Sequence, residues 1–210
     1  MSSRRRIAVA VVGHIASGKS LVRRMLMKCG ARGLYWDDIA RVLLKKGSPT
    51  YAALVQAFGA SVLTKTGEVS RCALSSILLG SQKTLIVMNE LLQPTIKREL
   101  ADQIARFKRS GRRSMIAVEV PLLSAEVAGF FDHRVWVKCD RETLIARLAA
   151  RNHIEVAKAA RMVEVCELSG IEQRWCEHTI DNSGRRHVTR RAVEFLYQRL
   201  LRSVDPGGSL

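Results

Sequence analysis

Eight residues constrain this chain more than any others: Gly13-His14-Ile15-Ala16-Ser17-Gly18-Lys19-Ser20 fills the pattern GxxxxGK[ST] at every fixed position. The apolar run Ile7 to Val12 stands immediately before it, and a helical run begins immediately after it at Leu21-Val22. Glycines let the backbone turn so that its N–H groups point inward, and the helix N-terminus adds a partial positive charge. Lys19 supplies a full charge for terminal phosphates, and Ser20 a hydroxyl for Mg²⁺. A loop of this kind works only between a strand and a helix, so the chain is expected to be α/β and to bind the phosphates of a nucleotide.

The rest of the chain agrees with that class. Strand-length apolar runs recur near Gly33 to Trp36, at Met115 to Val120, at Arg134 to Val137 and near Thr179-Ile180, with helical spacing between them. Alternation of this sort builds a mostly parallel sheet covered by helices on both faces. Between about Arg41 and Arg113 almost nothing is strand-like, and the stretches Tyr51 to Phe58, Arg71 to Leu79, Leu85 to Leu92 and Pro94 to Arg109 read as a helical insertion. A second all-helical stretch, Glu142 to Glu167, follows the fourth strand and reads as a mobile cover. The 210 residues suit one domain carrying a subdomain.

Charge and cysteine usage narrow the setting. No apolar run approaches the roughly 20 residues of a membrane span. Cys29, Cys72, Cys139, Cys166 and Cys176 stand singly, with no CxxC and no histidine pair at zinc spacing, which fits a reducing cytoplasm. The net charge of +16 calls for an anionic partner or a basic proteome. The basic runs around Arg4-Arg5-Arg6, Arg106 to Arg113 and Arg185 to Arg191 would suit nucleic acid. Aromatic residues are only 5% of the chain and are not interleaved with those runs, which argues against it.

Three groups of residues carry possible chemistry beyond the loop. Asp37 and Asp38 follow the second strand at the carboxyl edge of a parallel sheet, where one carboxylate can take a proton from an attacking hydroxyl or hold a metal. An N-cap pair starting the run Ile39 to Leu44 is the plainer alternative. Glu119, closing the third apolar run, has the position of a metal-side acid or of an ordinary strand-end charge. Arg147 and Arg151 share a helix face at four-residue spacing and suit a phosphate-closing lid or a solvated basic face. An NKxD guanine reader is lacking, which lowers a GTPase reading.

Taken together, these segments resemble the dephospho-coenzyme A kinase family. The likeness covers nearly the whole chain: the loop is followed by Asp37-Asp38-Ile39-Ala40-Arg41, Gly47-Ser48-Pro49, Asn89 with Pro94, Val120-Pro121-Leu122-Leu123, Arg147, Arg151 and Ile180-Asp181-Asn182 in the family's order. It implies a P-loop NTPase (Rossmann-like) core over about 1–40 and 112–205, a helical acceptor-binding insertion over about 41–111 and a lid over about 142–167. It implies ATP-dependent phosphorylation of the 3′-hydroxyl of dephospho-coenzyme A, with ATP and Mg²⁺ at Gly13 to Ser20. Asp37 would be the general base, Arg147 the lid arginine, and Asn182 would lie near the adenine.

Departures gather on the acceptor side. The family's Asp-Ala-Asp is Tyr35-Trp36-Asp37, its His-Pro is Gln93-Pro94, and its Leu-Leu-Phe-Glu is Leu122-Leu123-Ser124-Ala125. A common lid glutamine is Cys166, a usually basic position is Glu172, and an acid survives at Glu177. They leave the phosphate chemistry intact. Two other readings use them or the charge: the same apparatus with another nucleoside or nucleotide acceptor, and a weakened nucleotide- or nucleic-acid-binding homologue.

Overall fold

In a computed structural model, residues 6–70, 73–74, 82–110, 113–121, 123–168 and 173–202 are described, apart from the side chains of Asp37, residues 82–86, Asn89, Ser110 and Leu168. Five strands form one sheet: β1 (Ile7–Val12), β2 (Arg32–Tyr35), β3 (Met115–Glu119), β4 (His133–Lys138) and β5 (His178–Asp181). Their order is β2-β3-β1-β4-β5, and every pairing is parallel. All six residues of β1 are buried. A central parallel strand buried on both faces has no polar side to alternate with, which is why it reads as an unbroken apolar run.

Helices close the connections. α1 (Lys19–Lys28) follows the loop, and α8 (Arg186–Arg202) follows β5. Val22, Met25 and Leu26 of α1 pack with Val193, Leu196, Tyr197 and Leu200 of α8 on the side of the sheet presented by Ile7, Val9 and Val11. Between β3 and β4 lies the single turn α5 (Ala125–Ala128), capped by the Ser124 hydroxyl, which accepts from Val127 N–H.

The chain divides into two compact units, residues 1–35 with 104–210 and residues 36–103. The second contains α2 (Trp36–Leu43), α3 (Pro49–Phe58) and the first part of α4 (Gln82–Ser110). Its core is Leu54, Val62 and Met88, with Leu44, Phe58, Leu63, Val69, Leu74 and Leu92 packed against them. Ser48 caps α3 by accepting from Tyr51 N–H, with Pro49 at the first helical position.

Two local expectations change, at Pro94 and at Trp36, and two gain detail. Pro94 does not separate two helices; it lies inside the continuous α4. It removes one N–H and leaves the carbonyl of residue 90 without its helical donor, but Glu90 and Pro94 are both exposed, so water can take that role. The stretch Glu142 to Glu167 is two helices, α6 (Arg141–Asn152) and α7 (Val156–Leu168), broken where His153 adopts a left-handed φ of 53°. The insertion has one strand-like feature, the antiparallel bridge Leu63 to Val69. Finally, β2 ends at Tyr35 and α2 begins at Trp36, because Trp36 and Ile39, three apart, bury one helix face. Asp37 and Asp38 therefore lie in the first turn of α2 rather than ahead of the helix. Of the expected helix Arg71 to Leu79, only Ala73 and Leu74 fall among the described residues, and both are helical.

Candidate active site

The phosphate loop is built where β1 runs out between β3 and β4. Gly13 has φ 152°, and a Cβ there would stand 2.6 Å from the Val137 carbonyl oxygen on β4. Gly18 has φ 98°, and a Cβ there would stand 2.1 Å from Asn182 Nδ2. Both positions therefore need glycine for space as well as for backbone conformation. Ala16 holds φ 61°, local strain of the kind that functional loops store.

Asn182, just beyond β5, ties this loop to its surroundings. It is 2% exposed. Its Nδ2 donates to the Ser17 carbonyl at 2.8 Å, and its Oδ1 accepts from Thr189 Oγ1 of α8 at 3.0 Å. Its backbone carbonyl accepts from Arg147 Nη2 of α6 at 2.9 Å, so the loop, α6 and α8 meet on one residue. Arg147 also reaches Cys139 Sγ at 3.4 Å. The side chain of Asn182 is thus occupied within the protein.

Lys19 Nζ donates to the carbonyls of Gly13 and His14, both at 2.9 Å, which lays its charge across the loop. Burial lowers the Lys19 pKa, while the nearby Glu119 opposes that shift and Arg151 adds to it. Both arginines of α6 therefore bear on the loop by different routes: Arg147 by a hydrogen bond to the Asn182 carbonyl, Arg151 by its charge near Lys19. His14 stacks edge-on against Trp136 at 5.0 Å, and its pKa is lowered mainly by burial. Burial raises the thiol pKa of Cys166 on α7, against the opposing pull of Lys19 and of the Ile15 backbone. Leu144, Leu148, Ala159 and Val163 join α6 to α7, with Ile15 and Ala16 of the loop packed against them.

Ser20 Oγ donates to Glu119 Oε1 at 2.9 Å. The acid closing β3 thus meets the loop's hydroxyl, a contact that spacing alone left open. Hydroxyl and carboxylate are hard oxygen donors that fit Mg²⁺. Among the described residues no group of three or more His, Cys, Asp or Glu could hold a metal by itself, so phosphate oxygens would have to complete its shell.

Of the residues expected on the acceptor side, fewer are described. The Asp37 side chain, Asn89, Leu122 and Glu172 lie outside the described side chains or residues. Asp38 ion-pairs with Arg41 three residues on, an acid in the first turn of its helix. Sequence reasoning missed Arg23, which is 0% exposed and 3.7 Å from Glu119. The available signal was an arginine within the apolar stripe Val22, Met25, Leu26.

The model of the dephospho-CoA kinase family matches residues 7–187. The chain belongs to that family. It is 30% identical over 192 residues, 91% of this chain and 93% of the relative, to the dephospho-CoA kinase of Carboxydothermus hydrogenoformans. A dephospho-CoA kinase domain-containing protein of Danio rerio is 31% identical, covering 91% of this chain and 84% of its own. Among solved structures, dephospho-CoA kinase from Campylobacter jejuni superposes with a TM-score of 0.71 at 16% identity, over 93% of this chain and 98% of that one. A shikimate kinase from Acinetobacter baumannii gives 0.53 at 13% identity, over 99% and 97%, which extends the fold to other small-molecule kinases. The chain is a kinase of the dephospho-CoA kinase family on a five-stranded parallel P-loop core.

Proposed function

We propose that the protein transfers the γ-phosphoryl group of ATP to the 3′-hydroxyl of dephospho-coenzyme A, giving coenzyme A and ADP. The observation that supports this most is the phosphate loop, with Lys19 laid across it and Ser20 held by Glu119, inside a family match over residues 7–187. The loop N–H groups between Gly13 and Ser20 would bind the β- and γ-phosphates, His14, Ile15, Ala16, Ser17 and Gly18 forming the cradle. Asn182 serves ATP by fixing Ser17.

The hydroxyl oxygen bonds the γ-phosphorus as the bond to the ADP oxygen breaks, and the hydroxyl proton goes to Asp37. Lys19 neutralises charge on the transferring group, and Arg147 does the same from the lid once it is released from the Asn182 carbonyl. Ser20 and Glu119 would hold Mg²⁺, whose contribution is to screen the phosphate charge. The acceptor would be taken by residues of the helical insertion, about 41–111, and the helices of about 142–167 would serve as the lid.

No helix among the described residues is long and apolar enough to cross a membrane. Among the described residues Cys29, Cys139, Cys166 and Cys176 form no disulfide, which supports a reducing, cytoplasmic setting. The test is direct: purified protein with ATP, Mg²⁺ and dephospho-coenzyme A should form coenzyme A, detected by mass, while Lys19→Ala should not. ATP bound without product would refute the acceptor assignment.

A further inference from the structure

Arg23 points into the protein from the second turn of α1, three residues after Ser20. Its guanidinium carbon lies 3.2 Å from the centroid of the Tyr35 ring. Its Nε is 3.7 Å from Glu119 Oε2, and its Nη1 is 3.3 Å from Met27 Sδ. The side chain is 0% exposed. A buried charge survives only where something opposite and ordered meets it, so Glu119 is more than an incidental neighbour.

The surroundings are shaped for it. Tyr35 and Glu119 are register partners at the ends of β2 and β3, which puts the stacking ring beside the carboxylate. On β2, a Cβ at Gly33 would stand 2.6 Å from Arg23 Nη1 and 2.4 Å from Met27 Sδ, so the absent side chain leaves the space that Arg23 fills. Ring, gap and cation form one unit. Tyr35 is also where the family pattern has an acid, so this chain has an aromatic face over a buried cation at that position.

Glu119 is therefore held from two sides: Oε2 by Arg23 and Oε1 by the Ser20 hydroxyl. We propose that Arg23, braced by Tyr35 and accommodated by Gly33, is the positioning residue of the metal-nucleotide site, holding Glu119 by Oε2 so that Oε1 and the Ser20 hydroxyl beside it would meet the same Mg²⁺. Outer-shell groups that fix metal-side carboxylates act in this way, and losing one weakens metal affinity by about tenfold or more. The inference rests on the nucleotide-binding reading above but needs no particular acceptor.

The test compares the ATP dissociation constant in EDTA with that in saturating Mg²⁺, by calorimetry, for wild type and variants shown to be folded by circular dichroism. In Arg23→Met, affinity in EDTA should stay within about twofold while affinity with Mg²⁺ falls about tenfold. Arg23→Lys should recover more than half of that loss. General damage to the loop would weaken both affinities together. If Arg23→Met does not fold, Tyr35→Leu decides: it keeps the cation, removes the ring, and should lower the Mg²⁺-dependent gain by about threefold. A folded variant of either kind with an unchanged Mg²⁺-dependent gain overturns the assignment. Wild type that binds ATP equally with and without Mg²⁺ overturns the metal site itself, whereas failure of transfer to dephospho-coenzyme A overturns only the acceptor reading.

Discussion

Replacing Asn182 with alanine deletes two hydrogen bonds, of 2.8 Å to the Ser17 carbonyl and 3.0 Å from Thr189 Oγ1, and leaves the third, from Arg147 to the backbone carbonyl, in place. Ser17 and Thr189 are each 1% exposed, so water has no easy route to the groups left behind. The Ser17 carbonyl loses its Asn182 donor and the Thr189 hydroxyl keeps only the Asp181 carbonyl, at 3.5 Å, which together cost about 3 kcal/mol. For a chain of this size that is a fall in Tm of about 6–12 °C. Urea unfolding followed by circular dichroism gives the stability change, and calorimetry the ATP affinity, which should also fall because Ser17 belongs to the loop. Asn182→Asp sharpens the test: it keeps the acceptor for Thr189 but sets a carboxylate oxygen against the Ser17 carbonyl, and should be at least as damaging. A cost below about 1 kcal/mol with ATP affinity unchanged would refute the claim that Asn182 holds the loop.

Asp37→Asn should lower the transfer rate by about 10²–10⁴-fold with ATP affinity within twofold, and turnover within a few-fold of wild type would refute the base assignment. His178 Nε2 lies 3.4 Å from His133 Nδ1, and burial, then His133, Arg199 and Arg134, hold its pKa below the ordinary value of 6.5. The unfolded chain therefore takes up that proton more readily, so stability is full above about pH 6.5 and is lost as pH falls through the lower folded value. The urea midpoint should drop between pH 7.5 and 5.5, and less so in His178→Gln; equal drops would refute the coupling.

Much of this was legible in the chain because buried parallel strands and a phosphate loop write themselves as uninterrupted apolar runs and fixed glycines. Ile7 to Val12 could hardly be anything else. Local rules fared worse where a side-chain penalty had an external remedy. Pro94 reads as a helix stop, yet the carbonyl it deprives is on an exposed face. His153 carries no glycine to announce a helix end, yet it takes the left-handed turn between α6 and α7. Trp36 reads as the end of an apolar strand but starts a helix, because only tertiary burial distinguishes the two for a short run. Arg23 was the hardest. An arginine among helical residues reads as solvated surface, and only the meeting of Gly33 and Tyr35 of β2 with Glu119 of β3 shows that it is not.

The central place of β1 also bears on how the molecule opens. Its edges are paired by β3 and β4 and its faces are buried, so its amides should exchange with solvent only when the whole sheet comes apart. Residues 13–20 hang from the end of that strand, so whatever motion they have is motion about a fixed root. Hydrogen exchange should therefore show ATP slowing the amides of the loop while those of Ile7 to Val12, already at the slow limit, scarcely change.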